Sequence, residues 1–178
     1  MKGELMDTIE CLMTRRSVRK YKKEQVDEET LKKILDAGTM APSAMGKQSA
    51  TMVVVRDPVT IKALSKMNAA IMGVDSDPFY GAPTVVLVFG NPKVNRNYVR
   101  DASLVMGNLM NAAHALGVDS CWINRGKEMF EDADGKAFLR EWGASEDLVG
   151  IGICILGYGD GTCPAPAPRK EDYIIYAE

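Results

Sequence analysis

Apolar side chains at Leu5, Ile9, Leu12 and Met13 recur every three or four residues, which predicts a first helix that ends as the cations of 15–23 begin. The stretch QVDEETLKKILDAGTMAPS (25–43) predicts a second helix. Asp27 suits its N-cap, Glu28 and Glu29 suit the positive end of the helix dipole, and Leu31, Ile34 and Leu35 share an inward face. Pro42 stops it, because proline has no N–H to donate and restricts the residue before it. TMVVV (51–55) is short, continuous and β-branched, as in a buried strand. DPVTIKALSKM then opens a third helix, with Asp57 as cap and Pro58 in the first turn.

A second strand centres on 85–89, and residues 97–116 form a long helix. Val99, Ala102, Met106, Leu109, Met110, Ala113 and Leu116 mark one face of it. Other small and apolar residues widen that face, so the helix is expected to be central and packed on several sides. Gly107 inside it costs about 1 kcal/mol against alanine, and close packing is the expected compensation. Gly117 ends the helix. DSCWIN gives a third strand, KEMFEDADGKAFLREWG one poorer helix, and LVGIGICILGYG a fourth strand. After Gly161 the composition shifts to the extended, proline-rich TCPAPAPRKEDYIIYAE, suited to crossing a surface and adding a strand to a sheet edge. Residues 1–163 therefore read as one domain and 164–178 as an arm.

Composition narrows the function. The 178 residues are 46% hydrophobic and 26% charged, ordinary values for a globular domain or an intertwined pair of subunits. Net charge is -2 and pI about 5.6, which argues against a nucleic-acid partner. No apolar run reaches the roughly 18 residues of a membrane span. The start MKGELMDTIE has early acids and no apolar core, unlike a signal peptide. Cys11, Cys121, Cys154 and Cys163 form no CxxC pair and are expected as free thiols in the cytoplasm. The eleven methionines read as core filler.

Against this acidic balance, six cations and no acid lie between Arg15 and Lys23. Two readings stand: a solvated turn between helices, or an anion cradle. Arg15, Arg16, Ser17 and Arg19 sit together at a helix-to-loop junction, and guanidinium forks with a serine hydroxyl match phosphate oxygens. Lys20, Lys22 and Lys23 look like a solvated face. MAPSAMGKQSA (40–50) is likewise either a helix-ending loop or a surface of small residues that lets backbone approach a flat partner. Other chemistries fail. GYGDG precedes no helix and GIGICI lies in a strand, so neither is a dinucleotide fingerprint. His114, the one histidine, cannot build a zinc site with cysteines so dispersed. A His114–Cys121 pair is disfavoured because Cys121 falls in a buried-strand pattern. No catalytic side chain and no metal site is assigned.

In order and spacing, RRSVR, APSAMGKQ, RDASLVMGNLMNAAHALGVDSCWI, ILGYG and PAPRK resemble the nitroreductase family over nearly the whole chain. The resemblance implies an α+β fold: a mostly antiparallel sheet of four to five strands flanked by helices, in an intertwined homodimer. It also implies FMN as cofactor and NADH or NADPH as electron donor. Arg15, Arg16, Ser17 and Arg19 would grip the FMN phosphate, and Arg169 would close on it. Pro42, Ser43, Ala44 and Met45, with Gln48, would pack on the isoalloxazine ring from the partner subunit. Trp122, Ile123 and Asn124 would lie along its other side, with the backbone N–H near Asn124 donating to flavin N5. The arm 164–178 is expected to wrap the partner and pair with an edge strand there.

The implied activity is ping-pong hydride transfer from NAD(P)H to an electron-poor small molecule such as a nitroaromatic or quinone. A flavin-storage protein and a related flavoprotein with a specialised reduction are the alternatives. The chain departs from the family's common NxQPW, with Gly46 for the asparagine and Ser49-Ala50 for Pro-Trp. It has GYG for the commoner GYP. It is also shorter than the larger members, whose extra helices reduce here to 67–79.

Overall fold

A computed structural model describes residues 6–163 and 165–177. Helices begin where a carboxylate accepts the first free N–H groups. Asp7 accepts from Ile9 and Glu10 at the start of α1 (Thr8–Thr14). Asp27 accepts from Thr30 N at 2.9 Å to open α2 (Glu28–Thr39), and Asp57 from Thr60 N at 2.7 Å to open α3 (Pro58–Met72). α3 ends on Gly73 at φ 72°, a left-handed cap that favours glycine. The long helix α4 spans Tyr98–Ala115.

Strands β1 (Ala50–Val55), β2 (Thr84–Gly90), β3 (Asp119–Ile123) and β4 (Val149–Gly157) form one sheet of order β1-β2-β4-β3, every pair antiparallel. β2 and β4 are central, so side chains on both faces are buried. Val86, Val88, Cys154 and Leu156 pack with Leu31, Ile34, Met106 and Leu109 of α2 and α4. Val85, Leu87, Phe89, Ile153 and Ile155 pack on the other face with Leu64 of α3, and with Phe130 and Leu139 of the helices after β3.

Several expectations are corrected. The helix expected over 127–143 is two, α5 (Gly126–Glu131) and α6 (Ala133–Glu141). Asp132 is extended at ψ 163° between them and caps α6 through Ala133 N. Gly135 allows the tight joint, since a Cβ there would stand 2.0 Å from the Met129 carbonyl oxygen. Gly107 has the opposite setting: a Cβ there would meet nothing within 4 Å, so close packing within the chain does not explain it. α4 is not covered all round, for Val99 and Leu104 are each 48% exposed. On α1, Leu5 lies outside the described residues, and Ile9, Leu12 and Met13 point to solvent. Met106 and Met129 fill the core, but Met13, Met40 and Met45 are exposed. His114 Nε2 lies 2.9 Å from Thr14 Oγ1, joining α4 to α1.

Beyond β4, Lys22 N donates to Tyr158 O and Asp160 N to Lys20 O. The arm then runs exposed with a single 3-10 turn at Glu171–Tyr173 and, among its described residues, no strand. Among the described residues no helix is long and apolar enough to cross a membrane.

Candidate functional site

Arg15 is the C-cap of α1, and the chain after it runs extended beside β3. Ser17 forms a parallel bridge with Ser120, and Val18 N donates to Ser120 O at 3.1 Å. Arg16 folds back, its Nη1 donating to Met13 O (2.9 Å) and Arg15 O (2.7 Å), so it satisfies the carbonyls left open at the end of α1. Arg15 turns inward. Its charge acts on the thiols of Cys11 and Cys154, and no carboxylate lies within ion-pair distance of it among the described residues. Burial first, then Cys121, pushes the Cys154 thiol up to about 12, so the group beside the guanidinium is neutral. Arg15 Nη1 and Ser120 Oγ are the two buried side-chain polar atoms without a partner among the described residues. An unpaired buried donor is costly, which marks Arg15 as a residue whose setting the free chain does not satisfy.

A groove of about 590 Å³ opens here, lined by Ser17, Arg19, Lys20, Asp119, Asp160 and Cys163. Lys20 pairs with Asp160 at 2.9 Å, and Asp119 accepts from Gly159 N at 2.8 Å, so these charges are spent locally. Arg19 has no such partner among the described residues. It also lines a second hollow of about 300 Å³ at the end of β3, walled by Met72, Tyr80, Trp122, Ile123, Asn124 and Arg125. Register with β4 ends at Ile123, and the Asn124 N–H finds no acceptor among the described residues. The two hollows meet at Arg19, with the Ser17 hydroxyl on one side and the free Asn124 amide and Trp122 on the other, while Arg15 and Ser120 lie beside them and line neither. The Arg19 guanidinium, the Ser17 hydroxyl and the free Asn124 N–H fit a phosphate joined to a flat, acceptor-rich ring.

The loop between α2 and β1 lies elsewhere and is rigidly held. Asp101, buried at the start of α4, accepts from Ala44 N (3.0 Å), Ser49 Oγ (2.6 Å) and Asn95 Nδ2 (3.2 Å). Asn95 Nδ2 also donates to Ala44 O, and Gln48 N to Ser43 Oγ. Met45 (φ 58°) and Gln48 (φ 49°) are left-handed, a conformation non-glycine residues hold only when the surroundings fix it. Ser49 is thus the donor of the shortest bond to the clamp. Met45 is 87% exposed at the tip.

The chain therefore brings Arg15, Ser17 and Arg19 together with Trp122, Ile123 and Asn124 at the β3 edge. Arg16 is adjacent but occupied by α1. Pro42, Ser43, Ala44, Met45 and Gln48 gather at the β1 edge. With the strand order β1-β2-β4-β3, these edges are three strand spacings apart, roughly 14 Å. Arg169 is exposed on the arm and lines neither hollow. Sequence reasoning missed Asp101, Asn68 and Arg125. Asp101 left a faint signal, an acid among the apolar residues of α4. Asn68 left none: it is fully buried on α3, where its Nδ2 donates to Asn124 O (2.8 Å) and its Oδ1 accepts from Arg125 Nε (2.9 Å).

These features define an α+β protein with a ligand trough on one sheet edge and a rigid small-residue loop on the other. The chain belongs to the nitroreductase family, whose sequence model matches residues 12–76 and 68–158. It is 31% identical over 172 residues to an Archaeoglobus fulgidus protein provisionally named NADH dehydrogenase/NAD(P)H nitroreductase, covering 94% of this chain and 90% of that one. A Methanothermobacter thermautotrophicus protein of the same provisional name is 30% identical over 175 residues, covering 94% and 82%. Among solved structures, a Bacteroides fragilis nitroreductase with bound FMN superposes with a TM-score of 0.88 at 29% identity, covering 97% of this chain and 100% of that one. The fold is that of the nitroreductases, with the antiparallel four-stranded sheet flanked by helices that the resemblance implied.

Proposed function

We propose that the protein is an FMN-dependent NAD(P)H oxidoreductase that acts as a homodimer and reduces a nitroaromatic, quinone or similar electron-poor molecule by a ping-pong mechanism. The observation that carries this is the pair of hollows at the β3 edge that meet at Arg19 and carry the Ser17 hydroxyl, the free Asn124 N–H and Arg125. The names of the archaeal relatives and the FMN of the Bacteroides fragilis protein support it.

FMN, where bound, would supply the redox chemistry, the uptake of a hydride from the nicotinamide and its delivery to the acceptor. The chain's residues bind and orient. Arg19 and Ser17 would hold the phosphate, with Arg15 beside them and Arg169 closing from the arm. Asn124 offers its N–H to the ring edge, and Asn68 fixes that peptide by holding the Asn124 carbonyl. Trp122 and Ile123 flank the ring. Pro42, Ser43, Ala44, Met45 and Gln48 of one subunit cover the trough of the other and exclude water. The exposed apolar residues Ile9, Leu12 and Met13 of α1 and Val99 and Leu104 of α4 supply the dimer face. Buried free thiols at Cys11, Cys121 and Cys154 suit a reducing cytoplasm.

Anaerobic stopped-flow mixing tests the reading. Flavin absorbance should fall on mixing with NADH or NADPH and recover on later mixing with a nitroaromatic or quinone after the nicotinamide has been removed. A protein that holds FMN but is reduced by neither nicotinamide is a flavin-storage protein, and the reading is wrong.

A further inference from the structure

We infer that Arg125 makes the trough selective for aromatic electron acceptors that carry an anionic group, a carboxylate or sulfonate. This names the substrate class of the site just described and rests on that reading. Arg125 stands at φ 72°, where a glycine would sit without strain. Strain of this kind persists where the surroundings over-determine a side chain, and two contacts do so here. Arg125 Nε donates to Asn68 Oδ1 at 2.9 Å, and Asn68 is itself fully buried and tied to Asn124 O at 2.8 Å. The guanidinium is thus anchored beside the peptide that faces the reacting ring.

Only Nε is used in this way. Among the described residues the terminal nitrogens of Arg125 have no hydrogen-bond partner, and no carboxylate lies within the 4.0 Å of an ion pair. Asp77 is the carboxylate that lines the same hollow, and it is spent within its own loop. It accepts from Ser65 Oγ, Phe79 N and Gly81 N. Arg19, the other cation of the hollow, reaches toward the groove where the phosphate is placed. A fixed fork of free donors is therefore left beside Met72 and Tyr80, walls of the hollow not given to the flavin. An aromatic ring fits those walls, and a carboxylate matches the fork in a way that a neutral group of the same size does not.

The test compares 4-nitrobenzoate with 4-nitrobenzamide, using the FMN-loaded protein and one nicotinamide throughout. In each reaction NAD(P)H and one proton deliver two electrons and two protons to the nitro group. This gives the nitroso compound, water and NAD(P)+, and leaves the carboxylate or amide untouched. The expected kcat/KM is about tenfold higher for the benzoate, and the difference lies in KM. Titration calorimetry on the oxidised, FMN-loaded protein should give the same ratio of dissociation constants. Arg125→Gln should abolish both ratios and Arg125→Lys should keep part of them. Arg125→Gly, which relieves the backbone strain, should behave as Arg125→Gln does.

Equal values for the two compounds in the wild-type protein overturn the inference, as does a preference that survives in Arg125→Gln or Arg125→Gly. If neither compound is turned over, the oxidoreductase reading fails. The calorimetric ratio still decides whether Arg125 selects the anion.

Discussion

Arg15 is the residue proposed to meet the FMN phosphate, since its buried Nη1 has no partner among the described residues. A phosphate oxygen bound there would accept a charge-assisted hydrogen bond. Arg15→Ala should weaken FMN binding by about 1.5–3 kcal/mol, roughly ten- to a hundredfold. Riboflavin, which lacks the phosphate, should bind the variant about as well as the parent. Fluorescence titration with both flavins checks this, and equal losses for both would mean that the damage is structural. The cluster of arginines and serine was legible in the sequence because its residues are neighbours along the chain. Their separate roles were not. Arg16 spends its donors on carbonyls whose position depends on how α1 ends, and Arg15 turns inward against thiols more than 100 residues away in the case of Cys154. The pairing of Asn68 with Arg125 spans 57 residues and had no local pattern to announce it.

Helix starts were legible because a cap is local. Asp27 and Asp57 bond N–H groups three residues on, as their positions predicted. Bonds from Thr30 hold the Asp27 carboxyl below its usual range, and bonds from Thr60 do the same for Asp57. A folded-state value below the unfolded one means stability that is complete above the unfolded value, about 3.9. It is lost as pH falls through the lower folded value. Urea midpoints should therefore drop below about pH 4. Asp27→Asn, which keeps an acceptor but cannot titrate, should flatten part of that drop. The break between α5 and α6 was not legible, because the periodicity of 127–143 suits one helix and only the contact of Gly135 with Met129 forces two. The 43–49 loop is the element most dependent on one side chain. Asp101→Asn puts an NH2 where Asp101 accepts donors, and it should cost about 1–3 kcal/mol of stability. Hydrogen exchange at Ala44 and Gln48 should quicken, and unchanged exchange would show that the loop is held by other means.

At the scale of the molecule, the sheet order and the exposed apolar residues point to one arrangement. A loop at the β1 edge covers a trough at the β3 edge only when it comes from a second chain. The apolar spacing of α1 and α4 was visible in the sequence. Which chain buries it was not, since periodicity reports a face and not its partner. The arm carries Tyr173, Ile174, Ile175 and Tyr176 to solvent in the isolated chain, large side chains with no core of their own. Under the proposed dimer they would dock on the partner and anchor Arg169 at the phosphate. Deleting residues 172–178 should loosen the dimer and release flavin together on dilution, and a truncated chain that keeps both as tightly as the parent would leave the arm without this role. Native mass spectrometry of the FMN-reconstituted protein tests the central claim most directly, because one spectrum counts chains and flavins together. The account predicts a species of two 19.4 kDa chains carrying two FMN, with no flavin on the single chain. A monomer that retains FMN, or a dimer that binds none, would contradict it.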